Sequence, residues 1–345
     1  MQITSSDIYQ YQPLWGKWQV DELIGQGAFG QVYRISHQEY GQTYTSAVKI
    51  ITITEDDDNR EADSSTNHDA NTLRRHSQGL IQNLVSEVNI LYALSGYSNI
   101  LGYHDHKIIQ HKGKASWDIL IRMEYAKPFS VYLTEKQMTM QEVIAFGIDL
   151  CTALDICHSH GIIHRDIKDE NIFVSEDGVF KLGDFGVSMK LSQKFRAAVM
   201  RGTPNFMAPE IYHGEAYNAS VDIYSLGIVM YRLLNHGRMP FVPHDPQLIH
   251  SIDDREPLER RMRGEPFQNP DQADDALAVV IKKACAYTEN DRYASPLLMK
   301  KALANVLEKM AESVKNRLVT MLEPGKASNA QLEPPALMSG PQETR

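Results

Sequence analysis

Apolar positions along the chain follow one period in its first third and another in the rest. From Trp18 to about Ile53 they alternate between glycines, most clearly in Val32–Ile35, and β-formers crowd the run Thr43–Ile53. That spacing predicts strands. Leu80, Leu84, Val88 and Leu91 then fall on one stripe of an amphipathic helix over Leu80–Leu94. Two more strand-like runs follow, Lys107–Gln110 and Asp118–Met123. After Lys127 the helical period takes over, and Met140–His160, Asp222–Asn235 and Ala273–Ala286 are predicted as buried or amphipathic helices. The pattern is that of a small β-rich lobe followed by a larger helical lobe, an α+β chain.

Three stretches break the pattern. Residues 1–17 form a polar, aromatic-bearing lead-in. Residues 55–69 hold seven acidic residues, one arginine and almost nothing apolar, which predicts a solvated insertion over about 55–72. From about Glu323 the Pro, Gly, Ser and Gln content predicts a flexible tail, so 308–345 is expected to hold a helix end and that tail. The intervening units are 18–123 and 124–307.

Composition narrows the class. The 345 residues are 42% hydrophobic and 23% charged, enough apolar material for a sizeable core. A net charge of −9 argues against a nucleic-acid partner, which calls for a basic patch. The longest apolar stretch, Val221–Leu234, contains Asp222 and Arg232 and is too short to span a bilayer. The start has neither a charged nor an apolar segment of the secretory kind. Cys151, Cys157 and Cys285 have no metal-ligand spacing and are expected as core residues of a cytoplasmic protein. His104, His106 and His111 are expected as scattered surface residues.

Candidate chemistry starts at Gly25-Gln26-Gly27-Ala28-Phe29-Gly30-Gln31-Val32. The same glycines serve dinucleotide folds, but there a helix opens at the last one. Here β-prone Val32–Ile35 follows, which suits a hairpin covering a nucleotide. A plain glycine-rich turn is the third possibility. Lys49, flanked by Ala47 and Val48, would by itself be an ordinary solvent-facing strand residue. Behind a glycine loop it can hold phosphates, provided that a carboxylate orients it. Glu87, on the helix Leu80–Leu94, is the candidate.

Further on, His164-Arg165-Asp166-Ile167-Lys168-Asp169-Glu170-Asn171 is followed by Asp184-Phe185-Gly186 and then by Gly202-Thr203-Pro204-Asn205-Phe206-Met207-Ala208-Pro209-Glu210. In this order and spacing, together with the glycine loop and Lys49, these motifs resemble the protein-kinase superfamily over roughly residues 18–307. The resemblance implies a bilobal protein-kinase fold and transfer of the γ-phosphoryl group of ATP, with Mg²⁺, to protein substrates in a signalling role. It implies that Asp166 orients the acceptor hydroxyl and that Lys168 lies beside the γ-phosphate. Lys49, oriented by Glu87, would hold the α- and β-phosphates, and Asn171 and Asp184 would bind the metal. By the same match Gly25, Gly27 and Gly30 cover the nucleotide, Val32 and Ala47 lie above the adenine and Phe173 below it. Met123 would be the gatekeeper, with the backbones of Glu124 and Ala126 bonding the base. His164 is implied as a packing residue, Asp222 as a tie for the catalytic loop, and Arg292 as the partner of Glu210.

Lys168 and Thr203 resemble serine/threonine rather than tyrosine kinases, and the wording of the second lobe is most similar to the eukaryotic-type (Hanks-type) kinases of bacteria. Two departures stand out. Asp169 replaces the usual proline, a change expected to affect only local backbone stiffness. The position of the usual regulatory phosphothreonine falls on Val199, with no hydroxyl residue between Gln193 and Gly202, so Ser188, Ser192 and Thr203 are what remains near Arg165. The rival reading is an ATP-binding scaffold without turnover. The presence of Lys49, Asp166 and Asp184 argues against it.

Overall fold

The computed structural model describes residues 7–27, 30–53, 88–111, 116–185, 204–243 and 255–321. Alternation becomes a five-stranded antiparallel sheet of β1 (Gln19–Gly27), β2 (Gly30–Glu39), β3 (Gln42–Ile53), β4 (Tyr103–Gln110) and β5 (Trp117–Met123), in the order β1-β2-β3-β5-β4. Side chains two apart share a face of a strand. Tyr33, Ile35, Val48, Ile50 and Leu120 therefore line one face, and Ile51, Ile119 and Ile121 the other.

The first of these faces is covered by the lead-in, expected to be polar. Its Ile8 and Leu14 are buried there with Trp18, the first residue after it. Arg122 lies under the rings of Trp15 and Trp18, at 5.6 and 5.0 Å. Tyr11 donates a 2.5 Å hydrogen bond to the fully buried Asp118, which also accepts from Thr52 at 2.8 Å. The second face carries α1, the helical residues 88–93 that are the described end of the helix expected over Leu80–Leu94, and Leu91 packs there.

The histidines expected on the surface lie there, His104 exposed and His106 and His111 half-buried, and each has a partner. His111 Nε2 lies 2.8 Å from Asp118, His106 Nδ1 2.6 Å from the Tyr103 hydroxyl, and His104 Nδ1 3.1 Å from the Ser46 hydroxyl. Each sits on or beside the edge strand β4.

After β6 (Lys127–Pro128) come α2 (Phe129–Glu135) and α3 (Met140–Ser159). Thr139 caps α3 through a reciprocal box with Glu142. Then follow β7 (Ile172–Val174) and β8 (Phe180–Leu182), which complete a three-stranded sheet with β6, and α4 (Pro209–His213) and α5 (Ser220–Leu234). The chain continues through α6 (Glu256–Met262), α7 (Asp275–Ala284), α8 (Pro296–Lys309) and α9 (Glu312–Lys315). Nearly every residue of α5 is buried, so it is the central post of the helical lobe, with α3 and α7 packed on it. No helix among the described residues is long and apolar enough to cross a membrane. The insertion expected at 55–72 and the tail beyond 321 lie outside the described residues.

The two lobes are stitched at residues 99–102. Leu182 donates to Asn99 O at 2.9 Å, Leu101 to Leu182 O at 2.8 Å, and Glu124 to Gly102 O at 2.7 Å. The carboxylate of Glu124 accepts from Gly102 N–H at 3.0 Å and Lys181 Nζ at 2.9 Å, a polar knot at the strand-to-helix crossing.

Candidate active site

The loop that follows α3 is shaped by a buried carboxylate on α5. Asp222, fully buried, accepts from the backbone N–H of His164 at 2.9 Å and of Arg165 at 2.7 Å, and His158 Nε2 lies 2.9 Å away. Arg165 has a φ of 68°, a conformation that costs a non-glycine residue about 1–3 kcal/mol. The charge-assisted bond to its N–H helps to hold it there. Its guanidinium lies 5.3 Å from the Tyr217 ring centroid. The buried ring of His164 has Nε2 3.1 Å from Gly183 O and packs edge-to-face on Phe185 at 5.1 Å, so the loop is braced against the segment that carries Asp184.

This bracing brings five polar side chains together. Asp166 lies 2.8 Å from Lys168 Nζ and accepts from Asn171 Nδ2 at 2.8 Å, while the same nitrogen reaches the Asp166 carbonyl at 2.7 Å. Asn171 O in turn accepts from Gly183 N–H at 2.9 Å. From the opposite lobe Lys49 donates to Asp184 Oδ1 at 2.6 Å. Asp184 has a positive φ of 50° and projects from the segment just past β8. Desolvation on the cleft floor opposes its ionisation. Lys49 above all, then His164 and Lys168, outweigh that opposition and hold its carboxyl below the usual aspartate range.

Strand register places the wall of the cleft. Val32 is paired with Lys49, Ala47 with Met123, and Lys49 with Ile121, so Val32, Ala47, Lys49 and Met123 share one sheet face. Gly25 faces Val32, and Gly27 faces Gly30 at the close of the hairpin. A Cβ at Gly30 would lie 2.1 Å from the Ile50 carbonyl oxygen, and its φ is 134°, so only glycine fits. Glu124 and Ala126 follow β5 at the crossing between lobes. Among the described residues the Glu124 carbonyl and the Ala126 N–H have no partner. Phe173, on β7, packs against the other lobe's floor, where a Cβ at Gly183 would come within 2.7 Å of its ring.

Glu87 lies outside the described residues, and among those described the partner of Lys49 is Asp184. Gly186, Ser188, Ser192, Val199 and Thr203 also lie outside them. Beyond the cleft, the Glu210–Arg292 pair is bidentate, at 2.6 and 2.8 Å, and anchors the start of α4. Sequence reading missed the Lys181–Glu124 knot, the close packing on Gly183 and an ion pair between Asp169 and Arg232. The last had a visible signal: a lone arginine inside the apolar run of α5 has to find an anion.

Two lobes hinged at Glu124, with a glycine hairpin and a lysine above and a carboxylate-rich loop below, define a nucleotide-cleft phosphotransferase architecture. Residues 18–304 match the family described as protein kinase domain, and the chain belongs to that family. It is 30% identical over 240 residues to CBL-interacting serine/threonine-protein kinase 20 of Arabidopsis thaliana, covering 68% of this chain and 47% of that one. It is 34% identical over 185 residues to serine/threonine-protein kinase PknB of Mycolicibacterium smegmatis, covering 52% and 28%. A carbon catabolite-derepressing protein kinase of Saccharomyces cerevisiae is 29% identical over 229 residues, covering 66% and 32%. The chain thus spans less than half the length of these curated relatives.

Proposed function

We propose that this chain is an ATP-dependent serine/threonine protein kinase acting on protein substrates in a signalling role. The observation that carries the reading is the convergence of Lys49, Asp166, Lys168, Asn171 and Asp184 on one cleft, linked at 2.6–2.8 Å. Phosphoryl transfer asks mainly for in-line positioning and for neutralisation of charge on phosphate oxygens. Asp166 is placed to orient an acceptor hydroxyl and take its proton. Lys168 stands beside it as the cation for the transferred group, and Lys49 reaches the other phosphates from above, with Glu87 assigned to orient it. Val32, Ala47 and Met123 supply an apolar roof and rear wall for the adenine, and Phe173 its floor. The Glu124 carbonyl and Ala126 N–H, without a partner among the described residues, give the base a hydrogen-bonding edge. The hairpin of Gly25, Gly27 and Gly30 lets backbone approach the phosphates closely.

The donor set fits Mg²⁺. Asn171 turns its nitrogen to Asp166, which leaves its amide oxygen without a partner among the described residues. Together with the ionised Asp184 this gives two hard oxygens, the few protein ligands that Mg²⁺ takes beside phosphate oxygens and waters. When bound, the ion neutralises phosphate charge. Three buried, unpaired cysteines support a reducing, cytoplasmic setting.

The test is Asp166→Asn. Nucleotide affinity is expected to stay within about twofold while transfer to a serine- or threonine-bearing substrate falls by roughly 10²–10⁴. A variant retaining more than about a tenth of wild-type turnover would refute the role of Asp166. A wild-type protein that binds ATP without transferring phosphate would establish the scaffold reading instead.

A further inference from the structure

Asp169 stands between Lys168 and Asn171, and the structure gives it more than a backbone role. It is buried, and its Oδ2 accepts from Arg232 Nη1 in the last turn of α5. Its other oxygen, Oδ1, is buried with no partner among the described residues. One ion pair therefore sets where this carboxylate sits. Arg232 is itself fixed by donating from Nε to Gly237 O at 3.1 Å, so it is a built anchor rather than a swinging side chain.

The same helix holds the other end of the loop. Asp222, in the first turn of α5, grips His164 and Arg165, and Arg232 grips Asp169. Ten residues separate Asp222 and Arg232, about 15 Å along the helix axis. Asp166 and Lys168 lie in the chain between the two grips, and Asn171 follows directly, its N–H donating to Lys168 O at 3.0 Å.

We propose that the Asp169–Arg232 pair is a positioning tie for phosphoryl transfer: with Asp222 it clamps the catalytic loop to α5 at two points and so sets the placement of Asp166, Lys168 and Asn171. The inference rests on the proposed kinase reading for its kinetic consequence, though not for its structural one. Removing Arg232 takes away the carboxylate's one partner among the described residues, and a buried charge left so moves towards water. That movement displaces the loop, and a displacement of about 1 Å can cost on the order of 10²-fold in rate.

The test compares Arg232→Met, Arg232→Lys and the double variant Asp169→Ala/Arg232→Met with wild type. Four readouts are needed: melting temperature, ATP affinity, kcat, and hydrogen exchange of the 164–172 segment. Arg232→Met is expected to lower kcat about tenfold or more, leave ATP affinity within about twofold and speed exchange in 164–172. Arg232→Lys, which keeps the charge, should recover part of kcat. The double variant separates tie from mere stability. Removing both charges relieves the stranded carboxylate, so the melting temperature should return towards wild type. The tie is still missing, however, so kcat should stay low and exchange fast. Recovery of kcat in step with melting temperature would overturn the proposal, as would unchanged exchange in Arg232→Met. Exchange is read without turnover. An inactive wild type with the expected exchange changes would therefore fail the kinase reading and leave the tie standing.

Discussion

Replacing Arg292 by lysine keeps the charge at the foot of α4 and removes the geometry. Arg292 is 3% exposed, and its guanidinium uses its whole fork. Nη1 and Nη2 bind Glu210 at 2.6 and 2.8 Å, Nε binds Ala286 O at 2.8 Å, Nη2 reaches Tyr287 O at 3.0 Å, and the plane lies 4.9 Å from the Tyr224 ring centroid. An ammonium can meet Glu210 at one oxygen but cannot span the carboxylate and both carbonyls together. Buried hydrogen bonds to a charged group are worth about 1.5–3 kcal/mol each, and breaking a buried pair costs about 3–5 kcal/mol. We expect Arg292→Lys to cost about 3–5 kcal/mol, read as a lower urea midpoint at unchanged m-value. The corresponding drop in melting temperature is about 6–20 °C. Arg292→Met should cost at least as much, because Glu210 is stranded. Glu210→Leu/Arg292→Met should cost less than Arg292→Met alone. A lysine variant within about 1 kcal/mol of wild type would show that the fork is not what anchors α4.

Three further outcomes are expected. Thr139→Ala should destabilise by about 1 kcal/mol in chemical denaturation, since it removes the Thr139 half of the box that caps α3; no change would discard the cap as a stabilising feature. His104 binds protons less readily in the folded chain than its ordinary 6.5, because of desolvation first and then the nearby Arg122, with Glu124 opposing them. The unfolded chain therefore holds more protons below about pH 6.5, so stability contributed here is full above that pH and is lost as pH falls. A melting-temperature series from pH 7 to 5 should flatten in His104→Gln, and an equal slope in both proteins would rule this source out. Burial pushes the thiols of Cys157 and Cys285 up to about 12, and that of Cys151 higher than usual as well. A thiol reagent at pH 8 should thus label none of the three in the native protein and all three in urea, and rapid native labelling would contradict their burial.

The alternation in Thr43–Ile53 and Asp118–Met123 was enough to predict β3 and β5, and through period two it also assigned Val32, Ala47, Lys49 and Met123 to one face once register was known. Helices α3, α5 and α7 were legible to within about two residues at each end because their apolar faces are long. Helix α8 was anticipated only through its end past residue 308, since its apolar stripe is interrupted by Lys300 and Lys301 and its start is marked only by Ser295 and Pro296. The lead-in showed no element for a similar reason: Ile8 and Leu14 are too widely spaced to make a period, and only the sheet face they cover gives them a core.

What the sequence determined alone was the inventory of the site. The residue types and order from Gly25 to Glu210 resemble those of protein kinases, and through that resemblance they name the candidate glycines, lysines, carboxylates and amide. What only the tertiary structure decided was pairing between residues far apart in that order. Asp169 looked like a matter of backbone stiffness until folding brought Arg232, sixty-three residues away, to its carboxylate. Lys49 and Asp184, 135 residues apart, meet at 2.6 Å for the same reason. A buried charge must find its partner wherever packing places it, and local sequence carries no record of the distance.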